Sequence, residues 1–303
     1  GHNWALDRSR QVGSLLKPVI HLAALETGQY SPATIINDAP VSLQQSDGTL
    51  WQPQNYDRKS HGKVPMYEAL AKSYNQANVR LGMQVGVDKV LQQLKKMGVD
   101  QFIPAYPSAL LGAVEMSPLQ VNQVYQTIAG NGFYSPLSLV RQVTEANGQL
   151  LSHFPFAVRQ AASNDATYLL QHEMRMAAHY GTAKGVYQYL PKQQRVSAKT
   201  GTTNDLKDSW FAGFSGQHVA TVWLGREDAK PTPLTGAGGA LHVWAQLMQH
   251  LAYTSYKDIK PQLIEYYHLN VKTGKAMPNN CPNGVLLPIP KVSAPAFNKT
   301  CGY

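Results

Sequence analysis

The stretch from Arg10 to Glu26, RQVGSLLKPVIHLAALE, constrains the fold most strongly because its second half has no polar face. A helix drawn from about Ser14 to Glu26 is apolar all round, so protein must cover it on every side. Its first turn nevertheless carries a hydroxyl, on Ser14, and a cation, on Lys17. The apolar side chains are Leu15, Leu16, Val19, Ile20, Leu22, Ala23 and Leu25.

Ser14 and Lys17 lie three residues apart, on one face of a helix, so the hydroxyl and the amine can meet. Burial disfavours the charged form of a lysine and lowers its pKa. A neutral amine can take the serine proton, and the positive end of the helix dipole lies near the resulting alkoxide. We therefore predict a nucleophile and its general base. A second copy of this spacing, Ser60 to Lys63, lies in a polar loop with a glycine inside and is interpreted as chance.

The tripeptide Ser73-Tyr74-Asn75 falls in a predicted break between a helix at Met66–Lys72 and another from about Ala77. A second hydroxyl there could relay a proton, and the asparagine amide could hold a peptide through its donor and its acceptor. Serine and asparagine are also common helix caps. Taken alone, the tripeptide favours a cap.

The third motif, Lys199-Thr200-Gly201-Thr202, lies on a predicted strand. The lysine and the threonine hydroxyls suit a carboxylate. Gly201 would remove a side chain where a substrate backbone approaches. A copy at Lys272–Gly274 lies in a tail rich in proline and asparagine and is interpreted as chance.

The order of elements predicts an α+β fold in which helices flank an antiparallel sheet. An all-helical insertion is expected at about 28–130, and Asn147-Gly148 between two apolar runs indicates a hairpin. Two runs near 195–225 predict three strands, and a closing helix follows a glycine loop. Beyond about Tyr253 we expect a Pro-rich tail with little core.

Composition narrows the possible functions. The chain is 43% hydrophobic and 15% charged, which fits a globular core. The net charge of +9 fits either solubility or an anionic partner. The basic residues are scattered and no nucleic-acid motif is present, so no nucleic acid is predicted as a partner. No metal and no other cofactor is predicted, since the sequence lacks H-E-x-x-H and the loop at 236–240 lacks the lysine of a phosphate loop. The sequence contains no run of 18 apolar residues, so it predicts no membrane span.

The two cysteines, Cys281 and Cys301, lie in the last part of the chain with four prolines between them. Two cysteines without a nearby histidine cannot fill a four-ligand zinc site. We predict a disulfide that closes a Pro-rich loop, which would imply an oxidising compartment. Two free thiols are the alternative.

The three motifs are each weak, but their order S-x-x-K, S-x-N, K-T-G is specific. Over about residues 1–250 the sequence resembles the transpeptidase domain of class A, bifunctional penicillin-binding proteins. Other stretches that resemble this family are GAVEMSPLQVNQVYQTIAGNG, AKTGTTNDLKDSWFAGFSG and VWLGRED. The resemblance implies a transpeptidase domain at 1–253 with the β-lactamase type of fold, and a C-terminal extension at 254–303.

The resemblance implies a D,D-transpeptidase that cross-links peptidoglycan stem peptides. Ser14 would attack the carbonyl between two D-alanines, and Lys17 would take its proton. Ser73, with Lys199 nearby, would pass a proton to the departing D-alanine. An amine from a neighbouring stem would then resolve the acyl-enzyme, and β-lactams would trap Ser14 covalently.

The same resemblance implies the binding roles. Asn75 would hold the substrate amide, while Lys199, Thr200 and Thr202 would hold the terminal carboxylate on the strand that contains Gly201. The backbone N–H groups of Ser14 and Thr202 would form an oxyanion hole.

In this family a membrane helix, a glycosyltransferase domain and two strands precede the S-x-x-K motif, whereas 13 residues precede it here. We therefore expect an anchor and a glycosyltransferase domain upstream, a location at the periplasmic face of the inner membrane, and the absence of the first sheet strands from this chain. The acceptor amine and regulatory partners stay open.

Three alternatives use the same serine: a D,D-carboxypeptidase, a β-lactamase, and a penicillin-sensing module without turnover. A class A β-lactamase needs a glutamate that activates water. Glu68, Glu115, Glu145 and Glu173 are available, but none lies in an E-x-x-L-N context.

Overall fold

The computed structural model describes residues 3–44, 48–255 and 258–301. The helices are α1 (Trp4–Asp7), α2 (Lys17–Glu26), α3 (Met66–Ala71), α4 (Asn75–Val85), α5 (Val87–Lys96), α6 (Pro118–Ala129), α7 (Asn164–His179) and α8 (Ala240–His250). The strands are β1 (Arg10–Gln11), β2 (Ile35–Asn37), β3 (Leu43–Gln44), β4 (Leu50–Trp51), β5 (Lys63–Pro65), β6 (Glu115–Met116), β7 (Phe133–Tyr134), β8 (Gln142–Thr144), β9 (Leu150–His153), β10 (Arg159–Gln160), β11 (Ser197–Thr202), β12 (Asp208–Ser215), β13 (His218–Gly225), β14 (Ile264–Asn270), β15 (Lys275–Ala276) and β16 (Val285–Pro290).

Helix α2 is the centre of the core. All of its residues up to Leu25 are buried, and it packs against α4, α5 and α7. A 3-10 helix at Gly13–Leu16 precedes it, so Ser14 lies one element earlier than predicted. Because a 3-10 helix has three residues per turn, residues i and i+3 eclipse one another, and Ser14 and Lys17 keep a common face.

The main sheet is antiparallel in the order β11-β12-β13. Lys199 pairs with Ala212, and Gly201 pairs with Trp210. Helices α6 and α8 pack against this sheet, and α7 packs against β11. This is the predicted arrangement of a sheet flanked by helices, and it sets β11 beside the turn that carries Ser14.

Local sequence signals account for two further features. Ser117 caps α6 with a full capping box, completed by Gln120. β8 and β9 form the hairpin around Asn147-Gly148. The structure adds short strands that the sequence did not predict inside 28–130, where β2 pairs with β5 and β3 with β4. Of the helices in the described ranges, none combines the length and the apolar run that crossing a membrane would require.

The expectation of a tail with little core was wrong. β14, β15 and β16 form a second antiparallel sheet, and its buried Leu269 and Leu287 cluster with Tyr67 of α3. Pro288 and Pro290 alternate along β16, which is an edge strand paired with β14. Proline lacks a ladder donor and is confined to such edges, so its frequency concealed a strand in the sequence.

Cys281 and Cys301 are joined by a disulfide in the structure, with Cα atoms 5.2 Å apart. The bond closes a loop that contains β16, so it ties the end of the described chain to the second sheet. Chain-entropy reasoning gives such a loop roughly 3 kcal/mol of stabilisation, a model-dependent figure.

We predict that a double Cys281→Ser, Cys301→Ser change makes residues 260–301 sensitive to limited proteolysis while the body of the protein resists. The reason is that the bond restrains the second sheet and not the core around α2. Mapping of early cleavage sites by mass spectrometry measures this. Reduced wild-type protein is the matched control and should behave like the variant. Two alkylatable thiols in protein from an oxidising compartment would contradict the prediction.

Candidate active site

Ser14 lies on a turn that packs against the end of β11. Gly13 adopts φ +54°, and a Cβ at this position would lie 2.7 Å from the carbonyl oxygen of Thr202. The Tyr125 hydroxyl donates to the Leu15 carbonyl at 3.1 Å. Since Gly13 allows this approach, the partly exposed Ser14 is fixed next to Thr202.

Gly201 has a different neighbour from the one that we predicted. A Cβ there would lie 2.8 Å from Leu15 Cγ, 2.9 Å from Trp210 Cβ and 3.0 Å from the Val12 carbonyl oxygen. The space that the missing side chain leaves is therefore taken by Trp210 and by the turn that carries Ser14, residues 12–16, which we call the serine turn. Gly201 thus lets β11 pack against the turn that carries Ser14, and the position of its missing side chain is not open to a substrate backbone as we predicted.

Ser73 lies in the break between α3 and α4 with φ +60°, a left-handed conformation that costs a non-glycine residue of the order of 1 kcal/mol. The Ser73 N–H donates to the Leu70 carbonyl and the Tyr74 N–H to the Ala69 carbonyl. These bonds hold the strained turn, which directs the Ser73 hydroxyl toward two lysines.

The Lys17 amine is fully buried and donates to three acceptors on this turn. They are the Ser73 carbonyl at 2.7 Å, Ser73 Oγ at 3.0 Å and Asn75 Oδ1 at 2.6 Å. Two of the three predicted motifs therefore meet at one nitrogen, although they lie more than 50 residues apart in sequence.

The third motif reaches the same hydroxyl from the sheet. Lys199 is also fully buried, and its amine donates to Ser73 Oγ at 2.9 Å and to the Thr200 carbonyl at 3.0 Å. Ser73 Oγ thus accepts from two amines at once. A hydroxyl that uses its lone pairs in this way keeps its own hydrogen for a third partner, and this geometry suits proton relay.

Burial lowers the pKa of both amines. Burial lowers the pKa of Lys17 well below its usual value, and the nearby Lys199 lowers it further, while Asp38 opposes the shift. Burial lowers the pKa of Lys199 to about 7. A lysine with a lowered pKa can be neutral near neutral pH, so either amine can exchange a proton through Ser73.

The threonine hydroxyls of β11 have hydrogen-bond partners other than Ser73. Thr200 Oγ1 lies 2.7 Å from Thr182 Oγ1, and Thr202 Oγ1 accepts from the Gly236 N–H at 2.9 Å. The Gly236 N–H therefore orients the Thr202 hydroxyl, and Thr182 orients that of Thr200.

Within the described residues, the hydrogen bonds of Lys17 Nζ go to Ser73 and Asn75, and none joins it to Ser14 Oγ. Catalytic hydrogen bonds are often long in free enzymes and tighten when substrate binds. The two sequence copies lie elsewhere: Ser60 Oγ donates to the Asp38 carbonyl at 2.6 Å, and Lys272–Gly274 form an exposed turn.

Sequence reasoning missed a buried polar chain beneath the site. His21 Nδ1 lies 2.7 Å from Glu173 Oε2, and His21 Nε2 lies 2.9 Å from Asn78 Oδ1. Asn78 Nδ2 donates to the carbonyls of Ala69 and Tyr74. His21 therefore donates through Nε2, because its partner is the amide oxygen. The only sequence signal was a histidine on an otherwise apolar helix.

Of the four glutamates considered for water activation, Glu173 is fully buried against His21, and Glu115 and Glu145 are exposed. Glu68 is half-buried in the first turn of α3. Within the described residues, no group of three or more histidines, cysteines, aspartates and glutamates could hold a metal ion.

The comparisons with known proteins agree on a family. The family model "Penicillin binding protein transpeptidase domain" matches residues 2–240. Penicillin-binding protein 1B of Vibrio cholerae is 41% identical over 295 residues, which are 95% of this chain and 37% of the relative. The chain thus spans about a third of the length of the curated relatives that it matches.

Solved structures show the same fold. The crystal structure of penicillin-binding protein 1A from Haemophilus influenzae matches with a TM-score of 0.86 at 23% identity, over 98% of this chain and 50% of that chain. The PonA1 protein from Mycobacterium tuberculosis in complex with penicillin V matches with a TM-score of 0.72 at 22% identity, over 84% of this chain and 73% of that chain. The predicted fold class is confirmed.

We predict that Gly201→Ala lowers the free energy of unfolding by about 1–3 kcal/mol, because the added methyl group overlaps Leu15 and pushes the serine turn away from β11. Denaturant titration measures the loss. The matched control is Gly238→Ala, whose Cβ would meet only the Thr235 side chain within 3.5 Å. Equal stability of both variants would show that the close packing at Gly201 is unimportant.

Proposed function

The chain belongs to the penicillin-binding protein transpeptidase family, and on that premise we propose that it is a serine D,D-transpeptidase of peptidoglycan. The proposal rests on one observation: the amines of Lys17 and Lys199 both donate to Ser73 Oγ. Lys17 lies one helical turn after Ser14. This arrangement provides a nucleophile, a base of lowered pKa and a hydroxyl that can relay a proton.

In the first half-reaction Lys17 is a neutral amine, whose two hydrogens serve two of its three acceptors and whose lone pair takes the proton of the Ser14 hydroxyl. The Ser14 oxygen attacks the carbonyl between the two terminal D-alanines. The backbone N–H groups of Ser14 and Thr202 hold the oxyanion, a contribution of several kcal/mol in comparable sites. Ser73 gives its proton to the departing D-alanine nitrogen and regains one from Lys17. The stem peptide remains as an ester on Ser14.

In the second half-reaction an amine from a neighbouring stem peptide attacks the ester. Its proton leaves through Ser73 and Lys17, and the Ser14 oxygen recovers a proton as the new amide forms. We assign the terminal carboxylate to Lys199, Thr200 and Thr202, and the substrate amide to Asn75. Asn75 Oδ1 already accepts a hydrogen bond from Lys17, so the substrate amide must share or replace that hydrogen bond.

β-Lactams act in this proposal as mimics of the terminal dipeptide that leave a lasting ester on Ser14. A relative in fold is described in complex with penicillin V. We place the whole protein at the periplasmic face of the inner membrane, with an anchor and a glycosyltransferase domain outside this chain. An oxidising periplasm agrees with the disulfide between Cys281 and Cys301.

A peptide ending in D-Ala-D-Ala, mixed with an isotope-labelled D-amino acid as acceptor amine, tests the reaction. Replacement of the terminal D-alanine by the labelled residue supports transpeptidation. Loss of D-alanine without replacement indicates a carboxypeptidase. With penicillin, release of the adduct within seconds indicates a β-lactamase, and a lasting adduct without any peptide turnover indicates a sensing module.

We predict that penicillin adds a single adduct to the protein and that Ser14→Ala abolishes it. Among the serines that the structure describes, Ser14 alone is followed one turn later by a fully buried lysine. Intact mass measures the adduct. Ser60→Ala is the matched control, because Ser60 belongs to the other S-x-x-K copy and should label normally. Labelling that survives in Ser14→Ala protein would refute the assignment of the nucleophile.

We predict that the rate constant of acylation by penicillin follows a bell-shaped pH profile. The rate should rise with pH as Lys17 loses its proton, at a pKa well below the usual lysine value. It should fall above about pH 7, where Lys199 loses the charge that serves Ser73 and the carboxylate. The two limbs belong to the interacting pair. Lys199→Met should remove the alkaline limb at a reduced rate. A persistent alkaline limb in that variant would exclude Lys199 as its source.

A further inference from the structure

Helix α4 is capped by residues that are distant in sequence. Its own N-cap residue, Tyr74, makes no side-chain cap hydrogen bond. The first N–H groups of a helix need acceptors from outside the helix. Asn55 Oδ1 accepts from the Asn75 N–H at 2.6 Å and from the Gln76 N–H at 3.2 Å. A loop side chain 20 residues upstream therefore fixes the backbone of Asn75.

Asp38 completes this cap with a buried charge. Its Oδ1 accepts from the Ala77 N–H at 2.8 Å, and its Oδ2 accepts from Asn55 Nδ2 at 2.6 Å and from the His61 N–H at 3.1 Å. A fully buried carboxylate is costly unless donors surround it, and the positive end of a helix favours it. Asp38 and Asn55 thus form one unit that the α4 N-terminus completes.

His61 holds the same loop over the S-Y-N turn. Its ring stacks on Tyr74 with centroids 3.9 Å apart and an interplanar angle of 13°. Its Nδ1 lies 2.8 Å from Asp38 Oδ2, and its Nε2 lies 3.0 Å from Asp57 Oδ2. The loop that carries Asn55 and His61 therefore contacts Tyr74, the middle residue of the turn, as well as the N-terminus of α4.

The cap on α4 and the charge of Asp38 both act on Lys17. The Asn75 side chain, whose backbone Asn55 holds, accepts from Lys17 Nζ at 2.6 Å. The negative charge of Asp38 raises the pKa of Lys17, against burial and Lys199. The charged and titratable groups around this centre include Lys199 from β11, His61 and Asp57 from the loop, Glu68 from α3, His21 one turn along α2 and Glu173 from α7.

We propose that Asp38 and Asn55 are positioning residues for acylation of Ser14. They hold the N-terminus of α4, and with it Ser73 and Asn75, around the Lys17 amine, and the Asp38 charge balances two buried lysines. This inference rests on the proposed function, because acylation is its readout. Neither residue touches the reacting atoms, and neither belongs to the three motifs.

The first experiment measures acylation of the full chain by a fluorescent penicillin in stopped flow, which separates the acylation rate constant from the fraction of protein that labels. Asn55→Ala should lower the rate constant at least ten-fold while the labelled fraction stays high. Asn55→Ser keeps a capping oxygen and should give an intermediate rate. Asn37→Ala, at the end of β2, is the matched control, since its exposed side chain accepts from the Ala39 N–H. Its rate constant should stay within two-fold of wild type.

The second experiment follows the acid limb of the pH profile. Asp38→Asn keeps an oxygen for the Ala77 N–H but removes the charge, so the limb should move to lower pH, since the pKa of Lys17 falls. Asn55→Ala changes no charge and should leave the limb in place. Asp57→Asn is the charge control: its carboxylate is 48% exposed and screened by water, so the limb should move little.

The outcomes separate this inference from the proposed function. A wild-type chain that does not acylate would refute the proposed function. A wild-type chain that acylates, with Asn55→Ala within two-fold of it, would overturn the positioning role alone. A fall in the labelled fraction at an unchanged rate constant would also overturn it, because that is the result of a merely structural role. An acid limb that does not move in folded Asp38→Asn protein would overturn the part assigned to its charge.

Discussion

Two buried lysine amines that share one serine hydroxyl are the interaction on which the rest of the structure depends. Lys17 and Lys199 are both fully buried, and each donates to Ser73 Oγ. Taking an ammonium group out of water costs several kcal/mol, and two like charges repel. The protein meets this cost with backbone carbonyls, with the Asn75 amide and with the Asp38 carboxylate. It also lowers both pKa values, so the pair holds fewer protons near neutral pH.

The shared hydroxyl explains the strain and the close packing around it. Ser73 adopts a left-handed backbone conformation that glycine would occupy more easily, and it does so with a hydroxyl that glycine lacks. Gly13 and Gly201 allow the serine turn and β11 to approach within backbone contact. The strained backbone at Ser73 and the missing side chains at Gly13 and Gly201 together let the three motif segments meet.

Much of the site could be predicted from the residues themselves. Ser14 and Lys17 stood out because a helix without a polar face began with two polar groups, and the order of the three motifs carried the family resemblance. The role of Gly201 and the second sheet could not be predicted in the same way. Gly201 has its effect through Leu15, nearly 190 residues earlier. The second sheet depends on pairing across β14 and β16, where Pro288 and Pro290 resemble a loop in sequence.

The sequence by itself determined which side chains are candidates for the chemistry and which helix had to be buried, because periodicity and short spacings are local properties of the chain. The tertiary structure decided which of these side chains meet. Whether Lys17 faces Ser14 or Ser73, and whether α4 is capped by its own residues or by Asp38 and Asn55, depends on contacts between segments 20 to 126 residues apart. No local pattern encodes such contacts, because they result from how the whole core packs around α2.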